Sequence, residues 1–116
     1  MRLVKVDDAA GCPPAPPGGL EFSPLIQRDL TGDHQEDVAA VVISTDKPAR
    51  YGVVALHREQ RGYSEQWIVP LQPNRLRGVG IFSNPWGTYL FVGGCQPPDT
   101  KPFEWLDGKY VPAVIY

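Results

Sequence analysis

Asp29, Thr31, Asp33 and Asp37 stand at positions one, three, five and nine of the stretch DLTGDHQED. Alternate residues of a tightly curled loop point their oxygens inward, and a hard cation such as Ca²⁺ takes roughly six to eight oxygen ligands. The backbone carbonyl of Gln35 supplies position seven, and Gly32 permits the turn where a Cβ would crowd the chain. The competing reading is a polar Asx-type turn with no ion, since Asp and Gly are turn residues in their own right. Three carboxylates packed together repel one another without a cation between them, and this favours the metal.

Other chemistry finds less support. Cys95 with His57 or His34 would make a nucleophile pair, yet His57 lies in an apolar run and no third residue is placed to orient the base. Zinc held by Cys12, His34, His57 and Cys95 lacks any short ligand spacing. Glu21, Glu36, Glu65 and Glu104 offer carboxylates for a small periplasmic or secreted enzyme with an acidic cleft, but no spacing selects two of them. Such an enzyme is the alternative to a non-catalytic protein.

The elements that must hold these residues are short and β-like. A chain of 116 residues, 42% hydrophobic and 21% charged, suits a single domain. Its thirteen prolines and twelve glycines fall between apolar runs instead of inside them. The expectation is an all-β fold: one compact antiparallel domain over 21–116, sandwich-like or a curled sheet, preceded by a Pro/Gly-rich arm at 1–20. Strands are expected at 22–30, 37–45, 51–59, 63–71, 77–83 and 88–94, with a hairpin within 103–116. The runs VAAVVI, GVVAL and YLFV do not alternate, so both of their faces should be covered. Glycines in EQRG and LDGK mark hairpin turns. Ala40 stands where an EF-hand needs a bidentate Glu, and strand-like flanks exclude that motif as well.

The pattern D-x-T-G-D-x-x-x-D followed by VAAVV resembles the calcium loop of FG-GAP and VCBS-type repeats, found in integrin α-subunit propellers and many exported bacterial proteins. The resemblance covers about 25–71, including YGVVALHREQRGYSEQWIVPL. It implies a loop between antiparallel strands, with Asp29, Thr31, Asp33, Asp37 and the Gln35 carbonyl around calcium. Thr31 replaces the usual Asn or Asp, and His34 replaces a common Gly where the backbone needs a left-handed conformation. The motif occurs once, whereas a propeller needs several, so a full propeller is not expected.

Partners and compartment follow from weaker signals. A net charge of -2 without a Lys/Arg run argues against nucleic acid. No apolar stretch reaches the length of about 20 residues that spans a membrane. Met1 to Cys12 carries no secretory segment, so export implies a leader absent from this chain. Cys12 and Cys95, each in a Pro/Gly-rich setting, suit a disulfide closing a loop of about 80 residues, with two free thiols as the alternative. Trp86, in the turn SNPWG, is either a lid on the core or an exposed anchor for a partner. The resulting expectation is a non-catalytic, calcium-stabilised module, periplasmic or secreted, that binds another protein. An immunity or inhibitor protein directed at a toxin is its specific form.

Overall fold

Two β-sheets face each other across one apolar core. The structure, a computed structural model, describes residues 2–3, 22–73, 75–85, 87–94 and 100–113. The strands are β1 (Arg2–Leu3), β2 (Leu25–Arg28), β3 (Asp37–Ile43), β4 (Tyr51–Glu59), β5 (Gly62–Gln72), β6 (Leu76–Asn84), β7 (Gly87–Gly94), β8 (Thr100–Leu106) and β9 (Lys109–Pro112). Every pairing is antiparallel. The first sheet runs β3–β4–β5, with β1 and β2 sharing the free side of β3; the second runs β6–β7–β8–β9. Among the described residues there is no helix, and the sheets close into neither a barrel nor a propeller. The expected all-β domain is therefore what these residues form.

The apolar runs explain the order. All but one residue of β3 are buried, as its unbroken VAAVVI predicts for a strand covered on both faces. Ala39, Val41 and Ile43 of β3, with Tyr51, Val53 and Ala55 of β4, form the inner face of the first sheet. Val79, Leu90, Val92 and Phe103 oppose them from the second sheet. The LDGK turn closes β8 and β9 with Asp107 and Gly108 at φ 52° and 81°, the two positive values a two-residue hairpin of the favoured twist needs.

Ser23 and Pro24 tie the sheets together. Ser23 exchanges backbone hydrogen bonds of 2.9 and 2.8 Å with Val79 of β6, and the next residue, Pro24, accepts from Val41 N–H of β3. A Cβ on Gly78 would stand 2.7 Å from the Ser23 carbonyl oxygen, so only glycine allows this approach.

Some boundaries differ from the sequence reading. The span expected at 22–30 is a strand only over Leu25–Arg28, because Ser23 turns to the other sheet and Asp29 opens the acidic loop. The last hairpin begins at Thr100 instead of 103. Within 1–20, Arg2 and Leu3 pair with Ile43 and Val42. Cys12, Cys95 and Trp86 lie outside the described residues.

Candidate metal centre

The loop from Asp29 to Glu36 joins β2 to β3, so its two ends are fixed by the pairing of Arg28 with Asp37. Inside it, Asp29 organises the backbone. Its Oδ1 accepts from the N–H groups of Gly32 (2.8 Å) and Thr31 (3.1 Å), and its Oδ2 from His34 N–H (2.9 Å). Asp33 Oδ1 accepts from Gln35 N–H at 3.0 Å. Gly32 and His34 have φ of 83° and 63°, so His34 takes the left-handed conformation expected at that position. Desolvation works against ionisation of Asp29, but the amides of Gly32, His34, Thr31 and Asp33 outweigh it and hold its carboxyl below the usual carboxylate range.

These turns bring three carboxylates together. One oxygen from each of Asp29, Asp33 and Asp37 lies within 4.8 Å of the others, and this group could hold a metal ion. Oxygens sharing one Ca²⁺ at about 2.4 Å can be no more than about 4.8 Å apart, so the spacing is compatible with a common ion. Asp29 and Asp33 are exposed, whereas Asp37 is fully buried. Thr31 Oγ1 is also buried, and neither it nor Asp37 Oδ1 has a hydrogen-bond partner.

Asp37 is buried because of strand phase. It precedes Ala39, Val41 and Ile43 at alternate positions of β3, so it faces the core at the loop end of the sheet. Its Oδ2 accepts from Leu30 N–H at 2.9 Å. Its Oδ1 stands 3.3 Å from Nδ1 of His57, which continues the inward row Tyr51, Val53, Ala55 on β4. From the opposing sheet, Trp105 and Tyr110 cover the imidazole at centroid distances of 4.6 and 5.5 Å. Burial and the Asp37 charge together raise the pKa of Tyr110 above its ordinary value, so its phenol stays neutral.

The sequence reading thus placed Asp29, Asp33 and Asp37 in one cluster, and the structure assembles that cluster. Thr31 lies in the same loop. Gln35 is exposed, and its N–H serves Asp33. His57, Trp105 and Tyr110 were not read as neighbours of Asp37. Counting in twos along DVAAVVI and YGVVALH puts Asp37 and His57 in phase with core residues; nothing local announces the two aromatics of the distant hairpin. Of the four glutamates offered as cleft carboxylates, Glu65 stands on β5 and Glu104 on β8, in different sheets.

No protein-family model matches the chain, and no curated protein or solved structure matches it either. Among the described residues no helix is long and apolar enough to cross a membrane.

Proposed function

We propose that this protein is a non-catalytic binding module whose Asp29–Asp37 loop is stapled by one calcium ion. The observation that carries the ion is the pair of orphaned oxygens beside the carboxylate cluster. A plain Asx turn accounts for the backbone hydrogen bonds of Asp29 and Asp33. It leaves two buried oxygens without a hydrogen bond, Thr31 Oγ1 and Asp37 Oδ1, the latter with only His57 Nδ1 at 3.3 Å beside it, a state that protein groups rarely accept. A cation ligated by both removes the discrepancy. Each carboxylate oxygen that accepts an amide keeps a second lone pair for the ion.

The donors are all oxygens, which suits a hard cation, and calcium tolerates an irregular shell better than magnesium does. The residues that would hold it are Asp29, Thr31, Asp33 and Asp37 by side chain and Gln35 by carbonyl, as the resemblance to FG-GAP and VCBS-type loops implies. With protein oxygens at each of these positions the ion serves the loop, and this supports a structural role over a catalytic one.

The binding role, an exported location and the specific form of an immunity or inhibitor protein rest on the sequence: the loop resemblance, the Cys12–Cys95 pairing and the turn tryptophan Trp86. Capture of a partner from the source organism's envelope fraction should be stronger with calcium than with chelator. It should weaken by about 2 kcal/mol or more in Trp86→Ala if that residue is a hot spot. Capture indifferent to both changes would remove the reading. Intact mass before and after reduction tests the disulfide, and two free thiols on natively prepared protein would withdraw the main support for export.

A further inference from the structure

We propose that the mouth of the inter-sheet core is a binding site for a small amphipathic carboxylate. A cavity of about 300 Å³ opens between β5 of the first sheet and β6, β7 and β8 of the second. Its floor is apolar, since Ile68, Leu76, Val92 and Phe103 both line it and belong to the core. Among the described residues no side chain fills it.

Two polar residues around it, Lys101 and Gln72, occupy positions that strand phase assigns to the interior, although Lys101 is itself exposed at the mouth. Lys101 pairs with Val92, and Phe103 pairs with Leu90; the other three residues face the core. Side chains two apart on a strand share a face, so Lys101 stands at a core-facing position of β8, where the pattern asks for an apolar residue. Gln72 stands likewise opposite the core residue Tyr51. Arg75 also lines the cavity, but it has an interaction of its own, so Lys101 is the cation the site turns on. Among the described residues that line the cavity there is no carboxylate.

The simpler reading is a lysine whose stem covers the core edge while its ammonium reaches water. That accounts for Lys101 but leaves the volume beside it unexplained. At about 30 Å³ per water-sized unit the cavity has room for a ligand of about ten non-hydrogen atoms, the small end of ligand sites. A hydrocarbon or aromatic body on the apolar floor, with its carboxylate accepting from the Lys101 ammonium, satisfies both halves of the cavity. An amine of the same shape would meet the like charge of Lys101.

The test is an amide-shift titration of the full chain with octanoate. The expected result is saturable one-site binding with the largest shifts at Ile68, Leu76, Val92 and Phe103. Lys101→Met keeps the apolar stem and the fold, and it should weaken octanoate binding by about tenfold, the scale of one charge-assisted contact. Octylammonium should produce no saturable shift at these amides. The proposal is overturned if octanoate gives no saturable shift up to its solubility limit, if the shifts centre on other residues, or if Lys101→Met binds it equally well. Because none of the cavity residues belongs to the acidic loop, this result is independent of calcium binding.

Discussion

Asp37→Ala is expected to destabilise the protein by about 3 kcal/mol or more in calcium, the scale for removing one member of a buried, partnered charge. The loss combines two effects. The substitution strips Leu30 N–H of its acceptor and leaves His57 facing a void between the sheets, and it removes the one fully buried carboxylate of the cluster. Asp37→Asn separates the two. Its side chain keeps an oxygen for Leu30 N–H and fills the same space, yet it has lost the negative charge. With chelator present, Asp37→Asn should be neutral or slightly stabilising, because one of three repelling carboxylates has gone. With calcium present it should be less stable than the wild type. Urea unfolding in both conditions reads this reversal. An Asp37→Asn protein that is equally destabilised with and without calcium would show that Asp37 serves only the hydrogen-bond network.

The second large effect is the response of the unaltered chain to calcium. An ion that binds only the native state adds RT ln(1 + [L]/Kd), or about 2.7 kcal/mol at a hundredfold excess over Kd. For a domain of this size that corresponds to a rise in Tm on the order of 10 °C. Asp33→Ala should abolish the rise. Glu36→Ala should keep it, since Glu36 is exposed and lies outside the group of three carboxylates. Thermal scans with calcium and with chelator distinguish the two variants. If Glu36→Ala loses the response as completely as Asp33→Ala, the ion is held by general negative charge and not by the spacing of the loop.

Much of this was legible in the sequence because the deciding contacts are local. Asp29 meets the amides of residues 31, 32 and 34, a span that spacing alone can describe. The strands from Asp37 to Gly94 are announced by apolar runs and by the glycines between them. What could not be read lies where pairing joins distant residues. The His57–Trp105–Tyr110 cluster requires the last hairpin to pack on β4, and no periodicity in either segment encodes that docking. Arg2 and Leu3 form too short a strand to leave a pattern. Lys101 reads as an ordinary loop-edge lysine until the Val92 register shows which way its position faces.

The most direct test of the calcium loop is a titration of the isotopically labelled protein with Ca²⁺, followed at single amides. The N–H groups of Leu30, Thr31, Gly32, His34 and Gln35 donate to oxygens of Asp29, Asp33 and Asp37, so ligation must alter their shifts first. The account predicts saturation at one ion per chain with the changes centred on these five amides and absent in Asp33→Ala. Shifts that fail to saturate, or that spread over exposed acids such as Glu59, Glu65 and Asp107, would contradict it and leave a polar turn.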